Sequence, residues 1–550
     1  MTIHHASTTT PALNKTITLT VNNVSDGDTV SAYRLVSYAA DANGYEFFNG
    51  DNNNGFESYI NANKTEQSKT AEQYLASLDA VGVNTLLEGY ATACNSGTTY
   101  KLPNEPASKD SAKNSTATLS LTPGYYLLLT QTASANNRIY TPIAAFVKVD
   151  GDQLVVYAGS NNNALTAQDG VYKVAAKSAD GPTIDKQTNA TQGSGEATWK
   201  PTASAGVGDL VRFYVKVNIP AYNNVKALNL TVNDTLSNLK YNEGSVKVYA
   251  EEPKLEHSGD KTTVSGTTID GAIKNQTIGE YTVSNNNGTQ TLKFDLDYEK
   301  IMGESQQAKS VYVYYETTMQ KEAVQEKTHI GENIANLTYA NAATPDSKYT
   351  TDNKETDVYN YYLKFSKKKD EKDEALKGAK FSLYKEKSGG TALEFVQAKD
   401  EDGTVYYRPA VAGTEDDTAE KVTKIEADFL LRGLDANTYY IEEVETPAGY
   451  YAPSGRFEIK LISKMEDGKH TGKLDAITSK MTAVDEADTN LILNSGVDPN
   501  TPHEISAAIK NFSTPNLPTT GGAGTMLLSI GGVALMAAGA YLIFFRKKEN

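Results

Sequence analysis

The 550-residue sequence contains almost no cysteine. Cys94 stands alone, so no disulfide can form within the chain. Large extracellular proteins commonly use disulfides for covalent stabilisation, and an extracellular chain without them must be stabilised in another way. The six histidines are scattered without the spacing of metal ligands. We therefore predict neither a metal site nor a cofactor.

Positive charge is also in short supply. The chain carries 52 lysines and arginines against 68 acidic residues, a formal net charge of −16. Nucleic-acid binding depends on basic side chains that neutralise phosphates, so this balance argues against a nucleic-acid partner. The sequence also lacks a G-x-S-x-G, P-loop or H-E-x-x-H motif. We predict that the protein is not an enzyme.

A long apolar run occurs at the C-terminus. Residues 526–545 contain 20 residues without a charge, which is long enough to span a hydrocarbon layer of about 30 Å. Arg546, Lys547 and Lys548 follow directly. A short basic tail of this kind stays in the cytoplasm, so the preceding chain is expected to lie outside the cell.

A five-residue motif lies just before this run and consists of Leu517, Pro518, Thr519, Thr520 and Gly521. Together with the apolar span and the basic tail, it resembles the LPxTG cell-wall sorting signal of Gram-positive surface proteins, here over residues 517–550. The resemblance implies that a sortase cleaves between Thr520 and Gly521 and attaches the protein to peptidoglycan. The membrane span would hold the precursor and then be discarded.

The first residues do not match that expectation of export. Residues 1–14 contain neither a basic n-region nor an apolar h-region. Because a sorting signal requires secretion, we expect that a leader was removed or that the start of the gene is miscalled. The segment is set aside from the fold prediction as a residual N-terminal segment.

Length and strand pattern predict three domains, since a chain of this size exceeds a single hydrophobic core. Residues 15–175 mix strand-like alternation with a helix-like stretch at 70–90. Residues 182–355 contain short period-2 strands between turn signals, the pattern of a β-sandwich. Residues 360–514 form the third domain. We predict a mainly β chain of tandem immunoglobulin-like β-sandwiches, with some helix in the first and a C-terminal transmembrane segment.

Three segments resemble Gram-positive shaft pilins. The segment GDLVRFYVKVNIP at 208–220 resembles their middle domain. LKGAKFSL at 376–383 and YYIEEVETPAGY at 439–450 resemble the L-x-G-A-x-F-x-L strand and the E-box of a Cna B-type module, with departures from the fullest E-box only at Ile441 and Thr446. The resemblance implies a structural subunit of a covalent pilus that supports adhesion. It also implies autocatalytic Lys–Asn isopeptide bonds.

In that family, a lysine on the first strand and an asparagine on the last condense to an amide beside a buried acid. An apolar core suits this chemistry because burial disfavours charge on both ionisable groups. The lysine becomes a neutral nucleophile and the acid a neutral proton donor. Enclosure of the three groups supplies the proximity.

In the third domain, Lys367 is the candidate lysine because two apolar residues share its face of the strand. The resemblance implies Glu443 as the acid and Asn511 as the acceptor, with Asn494 as the rival acceptor. These assignments predict one covalent link in that domain.

In the middle domain, the resemblance implies Lys186 as the cross-link lysine, and Asp234 is the candidate acid. The acceptor is Asn333 or Asn341, and the sequence leaves both open.

Pilus growth also requires an exposed lysine near the boundary of the first two domains. The usual motif is Tyr-Pro-Lys, and the segment that ends at Lys173 lacks the proline. Lys177 precedes Lys186 by nine residues, close to the family arrangement. We favour Lys177 as the pilin lysine and keep Lys173 as the alternative.

The partners implied are a sortase, identical subunits in a covalent polymer, and peptidoglycan, with tip or basal pilins and host surface ligands to be considered. The alternative function is a monomeric wall-anchored adhesin, or a basal or ancillary pilin, that binds a host ligand.

Overall fold

The computed structural model describes residues 11–38, 44–96, 99–133, 136–160, 163–190, 198–221, 228–258, 261–305, 307–327, 329–341, 348–369 and 372–513. Strands dominate these ranges, as predicted, and α-helices are concentrated in the first part of the chain. Across the described ranges, no helix is long and apolar enough to cross a membrane. The predicted span 526–545 and the sorting motif 517–521 lie outside the described residues.

The main sheet of the first unit has six strands, five in a continuous order and a sixth paired with Thr29–Tyr38. Helices pack on one face of this sheet, and a three-stranded sheet packs on the other. Its α-helices are Phe56–Asn63, Ala71–Ser77 and Ala80–Ser96, with 3₁₀ turns at Pro11–Asn14 and Asp51–Asn53. Its strands are Ile17–Asn22, Thr29–Tyr38, Tyr45–Phe47, Ser108–Ser111, Thr116–Leu121, Gly124–Gln131, Arg138–Tyr140, Ile143–Asp150, Gln153–Ala158, Val171–Ala175 and Ser178–Asp180.

The helix-like stretch 70–90 forms two helices rather than one. Ala71–Ser77 begins with a capping box in which Thr70 accepts a hydrogen bond from the Gln73 backbone N–H. The chain then turns extended, and the Asp79 carboxylate accepts from the Gly82 backbone N–H at 2.8 Å, capping the second helix. Val81, in the first turn of this second helix, is 44% exposed.

The middle unit consists of two sheets around one hydrophobic core. The first sheet runs in the order Thr183–Asn189, Leu210–Ile219, Lys309–Met319 and Leu239–Tyr241, with Lys247–Tyr249 also paired to the third strand. The facing sheet follows the order Thr202–Ser204, Lys354–Tyr359, Ile330–Asn341, Leu228–Ser237, Asn287–Leu296 and Ile273–Ile278. The remaining elements are Lys254–Ser258, Lys261–Ser265, Thr282–Ser284, Lys348–Thr350, the helix Tyr298–Met302 and the 3₁₀ segment Lys321–Lys327.

The C-terminal unit is a second two-sheet sandwich with its own core. One sheet contains Lys421–Val422, Phe395–Lys399, Val405–Pro409, Phe429–Leu434, Tyr361–Lys369, Thr501–Asn511, Ile492–Asp498 and Lys372–Ala375. The other contains Ile425–Glu426, Lys380–Tyr384, Thr438–Glu445, Phe457–Lys460 and Met481–Ala483. A hairpin of Ser463–Glu466 and Lys469–Leu474 and 3₁₀ turns at Glu415–Asp417 and Glu486–Leu491 complete it.

Polar side chains join the units to one another. The Tyr339 hydroxyl of the middle unit donates to the Asn137 side-chain oxygen of the first unit at 2.5 Å. The backbone N–H of Ala436 in the C-terminal unit donates to the Ser204 hydroxyl of the middle unit at 2.7 Å. Arg432 reaches across the same junction. Consecutive units are therefore in direct contact through these hydrogen bonds.

Candidate functional site

The C-terminal unit contains a buried cluster of Lys367, Glu443 and Asn511, called here the C-terminal cluster. The Lys367 ammonium lies 2.8 Å from Glu443 Oε2 and 2.5 Å from Asn511 Oδ1. The Asn511 amide donates to Glu443 Oε1 at 2.8 Å. The side chains of Lys367 and Glu443 are fully buried, and so is Asn511. All three residues named from the sequence therefore meet in one place.

Strand pairing explains why these side chains converge. The first strand, Tyr361–Lys369, runs parallel to the last strand, Thr501–Asn511, and Lys369 is the backbone partner of Asn511. Lys367 lies two residues earlier, so its side chain and that of Asn511 project from the same face. Glu443 comes from Thr438–Glu445 in the facing sheet. The acid therefore reaches the pair across the core of the sandwich.

The environment of the C-terminal cluster favours a neutral amine. Burial lowers the pKa of Lys367 to about 8, an effect that the nearby Glu443 carboxylate opposes. The ring of Phe381 lies 5.5 Å from the Lys367 nitrogen and excludes water on that side. A lysine in this setting loses its proton far more readily than one in solvent.

The middle unit contains a second buried cluster of Lys186, Asp234, Asn333 and Tyr315, called here the middle cluster. The Lys186 ammonium lies 2.7 Å from Asp234 Oδ2 and 2.6 Å from Asn333 Oδ1. It also lies 3.1 Å from the Tyr315 hydroxyl. That hydroxyl donates to Asp234 Oδ2 and accepts from the Asn333 amide at 2.8 Å. All four side chains are buried.

The two sheets of the middle unit contribute two residues each to this cluster. Lys186 and Tyr315 belong to strands of the first sheet. Asp234 and Asn333 lie on the neighbouring strands Leu228–Ser237 and Ile330–Asn341 of the facing sheet. Here the lysine and the asparagine face one another across the core, whereas in the C-terminal unit they lie on neighbouring strands of one sheet and only the acid comes from the other.

Burial also dominates the electrostatics of the middle cluster. It lowers the pKa of Lys186 to about 8, with Asp234 acting in the opposite direction. It raises the pKa of the Asp234 carboxyl, which Lys186 opposes. The pKa of the Tyr315 hydroxyl is raised well above its usual value by burial and by the neighbouring carboxylate. Transfer of one proton from Lys186 to Asp234 leaves two uncharged groups, and burial in the apolar core favours this state.

The structure distinguishes the asparagines that the sequence left open. Asn333 contacts Lys186, whereas Asn341 ends the same strand eight residues later, about 26 Å along an extended chain. In the C-terminal unit, Asn494 is exposed and Asn511 lies in the cluster. Tyr315 was not predicted as a site residue, because only its contacts distinguish it from the other 33 tyrosines of the chain.

The two candidate pilin lysines line a single groove of the first unit, called here the lysine groove. Lys173 and Lys177 are both exposed, and the groove encloses about 300 Å³. Glu88, on the helix Ala80–Ser96, lines the same groove. Burial raises the pKa of the Glu88 carboxyl, and the charge of Lys177 opposes that rise. Of the two lysines, Lys177 is the one whose charge acts on Glu88.

Three carboxylates of the middle unit lie close enough together to resemble a metal site. Carboxylate oxygens of Glu332, Glu355 and Asp357 lie within 4.8 Å of one another. The Tyr359 hydroxyl already donates to Asp357 at 2.9 Å. Partly exposed acids on adjacent strands commonly group in this way without an ion, and we assign no metal to them.

Tandem β-sandwich units followed by a wall-anchoring signal define a modular cell-surface protein. Residues 362–474 match the family model of the SpaA prealbumin-like fold domain, and residues 513–550 match that of the LPXTG cell wall anchor motif. These matches confirm the predicted sorting signal and the predicted pilin-type module. The protein is a sortase substrate that is anchored outside the cell to peptidoglycan. The matched models describe a structural domain and an anchor, in agreement with the prediction that it is not an enzyme.

Several solved structures are similar to the chain at low sequence identity. The T6 backbone pilin of Streptococcus pyogenes serotype M6 is 15% identical, with 91% of this chain and 98% of that chain covered and a TM-score of 0.44. The Corynebacterium diphtheriae major pilin SpaA is 13% identical, with 90% and 100% covered and a TM-score of 0.42. The Bacillus cereus major pilin BcpA is 14% identical, with 91% and 100% covered and a TM-score of 0.35. A search of curated proteins found no match.

Proposed function

We propose that this protein is the shaft subunit of a sortase-assembled pilus, internally cross-linked by a Lys367–Asn511 and a Lys186–Asn333 isopeptide bond. The observation that carries the proposal is the C-terminal cluster, in which a buried lysine and a buried asparagine flank one carboxyl group in a wall-anchored chain. Such a cross-link would replace the disulfides that the sequence lacks.

The cross-linking step follows from the positions of the two Glu443 oxygens. Oε2 accepts a proton from the Lys367 ammonium, and the neutral amine attacks Cγ of Asn511 to form the N–C bond. The carboxyl group, after turning, returns a proton to the Asn511 nitrogen that faces Oε1. The C–N bond to that nitrogen breaks and ammonia leaves. The lysine nitrogen passes its second surplus proton to Glu443 and becomes an amide.

Polymerisation would use the lysine groove. Sortase holds the Thr520 carbonyl of one subunit as a thioester, and the Lys177 amine of the next subunit attacks it. The new amide joins the subunits and the sortase thiol is released. Exposure of Lys177 and its position in a groove beside Glu88 support this assignment, with Lys173 as the alternative.

The first experiment is intact mass spectrometry with peptide mapping on the chain up to Thr520. Each cross-link releases one ammonia, so we expect a mass about 34 Da below the sequence mass, from the stoichiometry of two losses. The two linked peptide pairs should contain Lys367 with Asn511 and Lys186 with Asn333. A mass equal to that calculated from the sequence would rule out both cross-links and leave a plain wall-anchored protein.

The precursor that keeps its sorting signal, residues 517–550, distinguishes the shaft from the alternative function. A shaft subunit incubated with its pilin sortase gives a ladder of covalent multimers, whereas a monomeric adhesin gives one band. A basal or ancillary pilin would likewise not form a homopolymer. Adhesion to a host ligand is a property we propose only for the assembled fibre.

A further inference from the structure

The two clusters place their acids differently, although both contain a lysine and an asparagine. Glu443 contacts the lysine nitrogen with one carboxylate oxygen and the asparagine nitrogen with the other, both at 2.8 Å. Asp234 has a side chain one methylene shorter. Within the middle cluster, its hydrogen bonds to Lys186 and Tyr315 both use Oδ2. The Asn333 amide donates instead to the Tyr315 hydroxyl.

The Tyr315 hydroxyl therefore occupies the place that the second Glu443 oxygen takes in the C-terminal cluster. We propose that Tyr315 is a catalytic residue of the middle unit, which relays a proton from Asp234 to the leaving nitrogen of Asn333. This inference rests on the proposed cross-linking function and adds a group to it. In this proposal, Asp234 and Tyr315 together perform the proton transfers that Glu443 performs alone in the C-terminal cluster.

The relay balances its protons and bonds. Lys186 gives one proton to Asp234 Oδ2, and the neutral amine attacks Asn333 Cγ, so that the new N–C bond forms and the carbonyl oxygen becomes negative. Asp234 passes the proton to the Tyr315 oxygen, which hands its own proton to the Asn333 nitrogen. The C–N bond breaks, the carbonyl re-forms and ammonia leaves. Asp234 then takes the second surplus proton from the lysine nitrogen.

The surroundings of Tyr315 suit a relay through a hydroxyl rather than a phenolate. Its ring is fully buried and stacks on Phe213 at a centroid distance of 5.8 Å, which fixes the position of the oxygen. The same oxygen lies within hydrogen-bond distance of all three reacting groups. Because burial raises the pKa of this hydroxyl, it stays protonated while it exchanges one proton for another.

The test compares the wild type with Tyr315→Phe, each made as the chain up to Thr520 in a cell-free system and sampled by mass from minutes to days. The Lys367–Asn511 link is the internal control, because it does not involve Tyr315. We expect Tyr315→Phe to form that link at the wild-type rate. The Lys186–Asn333 link should form about 100-fold more slowly, the lower range for loss of a general acid. If the Lys186–Asn333 link forms in Tyr315→Phe at the same rate as in the wild type, the proposal is overturned.

A second variant separates catalysis from simple support of the fold. Adding Asp234→Glu to Tyr315→Phe supplies a longer carboxyl that can reach the Asn333 nitrogen directly, as Glu443 does for Asn511. We expect this double variant to form the middle link faster than Tyr315→Phe alone. A double variant as slow as the single one would overturn the relay in favour of a structural role. A wild type that lacks both links would instead contradict the proposed function itself.

Discussion

At the residue scale, the central problem is two lysines in apolar cores. Lys186 and Lys367 have no exposed surface in their side chains, and each faces one carboxylate. An ion pair buried in this way seldom repays the desolvation of its two charges. Condensation removes that cost, because the lysine nitrogen becomes a neutral amide and the acid can hold a proton. The proposed condensation would therefore remove an electrostatic cost that the unlinked fold carries.

Replacing the acid of the C-terminal cluster tests this view. We expect Glu443→Ala to abolish the Lys367–Asn511 link. The variant should therefore be heavier, by the mass of one ammonia, than the mass calculated for the same variant with that link formed. The lost link closes a loop with a sequence separation of 144 residues, worth about 5 kcal/mol in the chain-entropy model. The free energy of unfolding of that unit should fall by at least that amount, measured by denaturant titration.

The adjacent residue provides the matched control. Glu442 pairs with Arg456 at 2.9 Å and is partly exposed. We expect Glu442→Ala to keep the link and to cost no more than about 1 kcal/mol. A linked mass in Glu443→Ala would exclude Glu443 as the acid.

At the scale of the element, strand periodicity made part of the site predictable. Lys367 could be placed in the core from two apolar residues on its face, and the strand Tyr361–Lys369 does bury them. The acceptor of the middle unit could not be chosen, because Asn333 and Asn341 have the same parity on one strand. The register against Leu228–Ser237 decides between them, because it pairs Asn333 with Leu236, two residues from Asp234, and Asn341 with Leu228, six residues from it.

Tyr315 in the middle cluster and the helix break in the first unit both depend on contacts that no local sequence pattern encodes. Tyr315 follows the alternation of its strand like any core tyrosine, and its contacts arise from residues far apart in the sequence. The break between the helices of the first unit depends on one capping aspartate, Asp79, inside an otherwise helical pattern. Sequence patterns therefore predicted the strands better than the partners across the sheets.

The strand Val171–Ala175 and the residues after it give a prediction on the pilin lysine. Lys173 lies within this strand, which pairs with Ile17–Asn22, whereas Lys177 follows it and faces Glu88 across the groove. We expect Lys177→Arg to abolish the sortase-dependent ladder while Lys173→Arg leaves it unchanged. The measurement is gel analysis of each variant incubated with the pilin sortase. The reverse pattern would move the assignment to Lys173.

At the scale of the whole molecule, the middle and C-terminal units share a junction rich in histidine. His329 of the middle unit stacks on His503 of the C-terminal unit at 4.2 Å. The guanidinium of Arg432 lies 5.3 Å from the ring of Tyr362, which also contacts His503. A proton on His503 would place a second positive charge near Arg432, so protonation would weaken this junction.

The direction of that pH effect follows from the histidine pKa. Burial, His329 and Arg432 lower the pKa of His503 to about 4, below the value of about 6.5 expected in the unfolded chain. The unfolded state therefore binds more protons between these values, and stability is lost as the pH falls from about 6.5 to 4. Asp209 acts in the opposite sense, because burial and Asp435 raise its pKa to about 7.

The variant His503→Phe isolates the histidine contribution, since it keeps an aromatic ring for the stack and leaves Asp209 in place in both proteins. We expect the melting temperature of the wild type to fall more steeply between pH 7 and pH 4.5 than that of the variant. Allowing for the partial exposure of the ring, the difference should be about 1 kcal/mol, or about 2–4 °C. Scanning calorimetry of the two chains at matched pH values measures it. Parallel curves would mean that His503 takes up its proton as readily in the folded subunit as in the unfolded chain, and that the junction does not sense acid through this ring.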